Sequence, residues 1–279
     1  MTMLKPLQKW SNLSSANRQS SLPDDSLRDL KYGQCMSFFV AGNWKTHLLS
    51  DEVNTLTQQL LDQCNQDGVA VFPPALYVPQ VSDQLRDSAI GFGVQDISEG
   101  GFGATTGDLC AQQVGDFGCQ YALVGHSERR QRQQESSQWV AEKALAAVTA
   151  GLVPIVCVGE TLEEREAGND VATVMAQLEP VLNLVPVDST LMVAYEPVWA
   201  IGTGKTASAD QAQAMHSEIR ARLSQIGMQQ TKILYGGSVK AANAAELAKC
   251  PDVDGALVGG AALQIDEFAA IVAAFQERQ

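Results

Sequence analysis

From residue 37 onward, short apolar or β-branched runs alternate with longer stretches patterned at helical spacing. The runs are Phe38–Ala41, Val69–Phe72, Ala89–Val94, Tyr121–Gly125, Val153–Val158, Leu191–Tyr195, Lys232–Tyr235 and Ala256–Val258. Several are apolar without alternation, as expected of strands buried on both faces of a parallel sheet. Between them, Ser137–Ala150 and Ala209–Ile226 carry apolar residues at helical spacing. Each is followed by a glycine, Gly151 or Gly227, where a helix end favours a residue tolerant of positive φ.

The residue just beyond each run is Asn43, Pro73, Gln95, His126, Gly159, Glu196, Gly236 or Gly259, and successive spacings are 30, 22, 31, 33, 37, 40 and 23 residues. A strand, a crossover helix and two loops need about 30 residues. The pattern therefore predicts eight βα units in one α/β domain, a single (β/α)8 barrel over residues 36–279. An open doubly wound sheet usually has fewer strands and a glycine fingerprint after the first, whereas Asn43-Trp44-Lys45 follows strand one here.

Residues 1–35 differ. They mix Ser, Asn, Gln and charge without periodicity. Five cations (Lys5, Lys9, Arg18, Arg28, Lys31) stand against Asp24, Asp25 and Asp29, a net of +2 that leaves −15 for the rest of a −13 chain. No long apolar segment with a small-residue cleavage site marks a secretory signal. The stretch reads as a leader or extension, with Met36 as a native start; a targeting arm is the competing reading.

Composition narrows the function. Charged residues make up 18% of the 279 and hydrophobic ones 45%, an ordinary globular balance. A net charge of −13 repels nucleic acid and anionic membrane surfaces, so any anionic ligand must be held by a local constellation. The six cysteines form no Cys-x-x-Cys pair and match no zinc-ligand spacing, which suits a reduced cytoplasmic protein. No run of 18 apolar residues is present.

In a barrel, the C-terminal strand ends share one mouth. That places Asn43 and Lys45, His126, Glu196 and the glycine pairs Gly236-Gly237 and Gly259-Gly260 together. One carboxylate, one imidazole and one ammonium suit proton abstraction beside a carbonyl with stabilisation of the developing oxyanion. Glu196 as a plain surface acid, Lys45 as a surface lysine and the glycine pairs as mere turns are the bland alternatives.

Five segments resemble the triosephosphate isomerase family: Asn43-Trp44-Lys45; the six residues Gly125 to Arg130; the twelve from Ala194 to Lys205; Tyr235 to Val239; and Leu257 to Ala261. The resemblance runs from about Phe38 to Phe275. It implies interconversion of dihydroxyacetone phosphate and glyceraldehyde 3-phosphate in glycolysis and gluconeogenesis, with no metal or organic cofactor. In the family's scheme Glu196 moves the proton, His126 polarises the carbonyl as a neutral ring at a helix N-terminus, and Lys45 with Asn43 offsets negative charge. Residues Pro197 to Ala207 form a lid whose Gly202 gives a backbone N–H to the phosphate. Ser238, Gly259 and Gly260 are the other phosphate contacts. Ser127, read as a helix N-cap, and Glu128 are supporting residues, and Arg129 is structural. The loops after strands seven and eight are read as carrying no basic side chain, so main-chain dipoles hold the anion.

The loop Gln95–Gly107 is long and glycine-rich, and the resemblance projects it into a second copy of a homodimer with Thr106 near the neighbour's site. Thr46, His47, Asp108 and Ala262 depart from the commonest family pattern. His216 is placed on a solvated helix face, His47 has no assigned role, and Cys157 is read as core. Another phosphosugar isomerase on the same barrel, or a non-catalytic binding or surface protein, are the alternatives.

Overall fold

The computed structural model describes residues 37–201 and 206–278. The 1–35 extension, Gly202 and Lys205 therefore lie outside the described residues. Eight parallel strands close into a barrel in sequence order: β1 (Phe39–Asn43), β2 (Val69–Phe72), β3 (Gly91–Val94), β4 (Tyr121–Val124), β5 (Val153–Val158), β6 (Met192–Tyr195), β7 (Lys232–Tyr235) and β8 (Gly255–Val258). The ring closes where Val40 pairs with Ala256 and Ala41 with Leu257. The surrounding helices are α1 (Ser50–Cys64), α2 (Val78–Leu85), α3 (Ala111–Asp116), α4 (Ser127–Arg132), α5 (Ser137–Thr149), α6 (Leu162–Glu166), α7 (Asp170–Leu184), α8 (Ala209–Gln225), α9 (Ala241–Ala248) and α10 (Ile265–Gln276).

The unbroken apolar runs have a simple cause. Along the strands, alternate side chains enter two different cores, except in β3, whose inward positions are Gly91 and Gly93. Phe39, Ala41, Phe72, Leu123, Ile155, Cys157, Met192, Ala194, Leu234 and Leu257 fill the barrel interior. Their neighbours Val40, Val71, Val124, Val156 and Val193 meet the helices outside. Neither face sees water, so neither needs polar residues.

Local chemistry sets the strand ends. The run expected from Ala89 pairs only from Gly91, because the N–H groups of Ala89 and Ile90 go to Asn65 Oδ1 and Ser88 Oγ. β4 stops at Val124 because Gly125 takes φ +69°, turning the chain toward α4. Gly151 and Gly227, at φ +77° and +84°, follow α5 and α8 as the sequence pattern requires.

His216 corrects the sequence reading: it is fully buried. It shares the inner stripe of α8 with Ala212, Met215, Ile219 and Leu223, a spacing of four, three and seven that places it in the core. Its ring packs edge-on against Tyr195 and tilts against Tyr235. Nδ1 lies 3.0 Å from the Asp252 carbonyl, which can only accept, so Nδ1 carries the proton. Nε2 is buried with no hydrogen-bond partner among the described residues. Protonating it would bury an uncompensated charge, and this desolvation lowers the pKa to about 4. A folded pKa below the free value of about 6.5 means stability is complete above pH 6.5 and is lost as pH falls from there toward 4. Between pH 7.5 and 4.5 this group removes about 2–3 kcal/mol. Urea unfolding of His216→Gln should show a shallower acid loss than the parent by that amount; an equal loss would contradict the assignment.

Candidate active site

Asn43, Lys45, His126, Glu128, Glu196, Ser238, Gly259 and Gly260 line one cleft of about 350 Å³ at the C-terminal mouth of the barrel. The strand ends thus bring together the residues expected there, apart from Gly202, which lies outside the described residues, and Ser127, which borders Glu196 from behind.

Glu196 follows β6 directly, and its side chain is only 2% exposed. Burying a carboxylate is costly unless it is hydrogen-bonded. Ser127 N–H donates to Oε2 at 2.8 Å, and His126 Nε2 lies 3.1 Å from Oε1. Ser127 is the first residue of α4, so the carboxylate faces a helix N-terminus, where unpaired N–H groups favour negative charge. Burial and then the Glu196 carboxylate push the Cys157 thiol well above its ordinary pKa, which leaves Cys157 a neutral thiol beneath the acid. Space for the glutamate comes from glycines. A Cβ on Gly236 would lie 2.8 Å from Glu196 Cγ, and one on Gly159 would lie 1.7 Å from the Glu196 carbonyl oxygen.

His126, not Ser127, is the N-cap of α4. Its Nδ1 accepts from Glu128 N–H at 3.3 Å. A nitrogen that accepts carries no proton, so the ring is neutral with its hydrogen on Nε2, directed into the cleft. Ser127 acts through its backbone, and the sequence offered no signal for that exchange of roles.

Lys45 sits at φ +51°, a strained conformation for a non-glycine residue. Two side chains hold it there: Asn43 Oδ1 accepts from Lys45 N–H at 3.0 Å, and Gln95 Nε2 donates to the Lys45 carbonyl at 2.7 Å. The Lys45 ammonium meets Glu128 Oε1 at 2.5 Å. Burial would raise the Glu128 carboxyl, but the hydrogen bond from Lys45 and the charges of Lys45 and Arg132 outweigh it. Glu128 is held below the usual carboxylate range.

Two supporting networks escaped the sequence reading. Arg129 bridges Asp96 and Glu135, and Lys143 bridges the same two acids, each contact between 2.7 and 2.9 Å. Together with Trp139 Nε1–H donating to Glu99, they tie the root of the 95–107 loop to α4 and α5. Glu160 Oε1 accepts from Trp199 Nε1, Tyr195 OH and Arg165 at 2.8, 3.1 and 3.2 Å. Its position one residue past the β5 glycine was the available signal. Ser238 Oγ donates to the Ala200 carbonyl at 2.6 Å, joining the loop after β7 to the lid's first turn. Lys240 corrects another expectation: it lies in that same loop and lines the cleft, so the loop after β7 does carry a basic side chain.

A family model described as triosephosphate isomerase matches residues 38–275. The chain belongs to the triosephosphate isomerase family. Membership carries an enzyme class, an isomerase of triose phosphate, and the match begins beyond the 1–35 stretch. The triosephosphate isomerase of Bordetella pertussis is 51% identical over 238 residues, spanning 84% of this chain and 96% of that protein. That of Xanthomonas campestris pv. campestris is 48% identical over 242 residues, with the same coverage. That of Pseudomonas entomophila is 48% identical over 240 residues, 83% of this chain and 96% of its own.

The fit of Gly236 against Glu196 yields a prediction. Gly236→Ala should displace the carboxylate by several tenths of an ångström or more and lower kcat by about 10²-fold, with the melting temperature little changed. Parent-like kcat would show that the glutamate does not depend on that space.

Proposed function

We propose that this cleft interconverts dihydroxyacetone phosphate and glyceraldehyde 3-phosphate by proton transfer through an enediolate, with Glu196 as base, His126 as electrophile, and Lys45 and Asn43 as charge-stabilising groups. The observation that carries the reading is a single buried carboxylate beside the Nε2–H of a neutral imidazole, 3.1 Å away. A carbonyl compound entering between them presents a C–H to the carboxylate and its oxygen to Nε2–H. The Lys45 ammonium, within the same cleft, offsets the charge that accumulates on that oxygen. His126 relays the hydroxyl proton from one substrate oxygen to the other, and Glu196 returns its proton to the adjacent carbon, so the step is redox-neutral and atoms and protons balance.

The phosphate would rest on Gly259, Gly260 and Ser238, with Gly202 of the lid completing its contacts. Gly259 supports this: a Cβ there would reach 3.5 Å from Lys45 Cε, so the backbone approaches the cleft closely without a side chain in the way. Ser127 and Glu128 support the reacting groups, the first through its N–H to Glu196 and the second by fixing Lys45. Residues 36–279 form the working body, acting in glycolysis and gluconeogenesis in the cytoplasm. The 95–107 loop, with Phe102 78% exposed at its tip, would pack against a second copy in a homodimer and bring Thr106 to the neighbour's site.

The test is direct. Removing a general base costs about 10²–10⁴-fold, so Glu196→Ala should lose at least that much turnover of glyceraldehyde 3-phosphate in a dehydrogenase-coupled assay. Turnover within tenfold of the parent would refute the assignment.

A further inference from the structure

We propose that Lys240 is a specificity-determining residue of the cleft, the cation that draws in a dianionic phosphate and favours it over uncharged analogues. This rests on the triose-phosphate reading above. Four formally charged side chains line the cleft: Lys45, Glu128, Glu196 and Lys240. Lys45 is paired with Glu128 at 2.5 Å and directed to the reacting oxygen, and Glu196 is negative. Lys240 is exposed and makes no ion pair among the described residues. Among the described residues lining the cleft it is thus the uncommitted cation, in a chain whose net charge of −13 repels an arriving dianion.

Its position is also one that local rules oppose. Lys240 is the N-cap of α9, where Ser, Thr, Asp or Asn is favoured and where the helix dipole disfavours a cation. The turn is instead secured by Asn243, whose Oδ1 accepts from Lys240 N–H at 2.8 Å and whose Nδ2 donates to the Ser238 carbonyl at 3.0 Å. One side chain thereby fixes Ser238 and Lys240 relative to each other. The first N–H of α9, that of Ala241, is taken by Glu267 Oε2 at 3.1 Å. With Lys240 N–H also spent, the start of this helix has little left to offer an anion, and the ammonium supplies the local positive charge. A residue that breaks the capping rule yet faces the cleft is accounted for by the ligand, not by the helix.

The experiment compares the parent with Lys240→Gln and Lys240→Arg on two substrates, glyceraldehyde 3-phosphate and unphosphorylated glyceraldehyde, across ionic strength. For the phosphorylated substrate at about 20 mM salt, Lys240→Gln should lower kcat/KM by about fivefold, chiefly through KM. Lys240→Arg should restore most of it. At about 1 M salt, where the Debye length is about 3 Å, the deficit should fall below about twofold. Turnover of glyceraldehyde should be the same in all three, and the melting temperature of Lys240→Gln equal to the parent's or higher. An active parent with an unaltered salt dependence in Lys240→Gln would overturn this assignment alone, as would equal losses on both substrates. A folded but inactive parent would overturn both it and the triose-phosphate reading.

Discussion

A carboxylate kept at the mouth of a barrel while almost wholly withdrawn from water is the constraint around which the rest of this molecule is arranged. Glu196 is compensated by two donors, the Ser127 N–H and the His126 Nε2–H, and both come from the start of one short helix. That helix can reach the glutamate because Gly125, at positive φ, turns the chain immediately after β4. The glutamate can sit where it does because the neighbouring strand ends, at Gly159 and Gly236, carry no side chains. The barrel contributes rigidity: apolar cores inside and outside it hold the strands, so the strand ends keep their positions while the loops beyond them are free to serve chemistry.

The same arrangement explains how three polar side chains share a small cleft without cancelling. Asn43 accepts from the strained amide of Lys45, which fixes its side chain at the edge of the cleft. His126 spends Nδ1 on its own helix, which leaves a donor at Nε2. Lys45 is turned by its positive φ and braced by Gln95 and Glu128. Each group has one end satisfied by the scaffold and the other presented to the cleft, so the orientation is set before a ligand arrives. Farther out, the Asp96, Arg129, Glu135 and Lys143 cluster couples the helix bearing Ser127 to the loop at 95–107.

Much of this was legible in the residue order. Eight apolar runs at intervals near 30 residues specify a parallel barrel, because a strand buried on both faces has no reason to alternate. Glu196, His126 and Lys45 could be placed in one mouth because each stands just past a run. What escaped had physical causes. The exchange of capping roles between His126 and Ser127 depends on backbone angles that both residue types tolerate. Glu160 and Lys240 gain their importance from what other elements bring to them. His216 is a different case: its inner-stripe spacing along α8 was readable in the residue order.

The central claim is that Glu196 carries a proton between adjacent carbons of the substrate, and turnover in D2O tests it most directly. Product formed by the parent and followed by proton NMR should contain solvent deuterium at the carbon that receives the proton, since a carboxylate exchanges its hydrogen with water. Glu196→Gln should abolish both that incorporation and net turnover. Turnover or deuterium exchange that persists in Glu196→Gln would contradict the account.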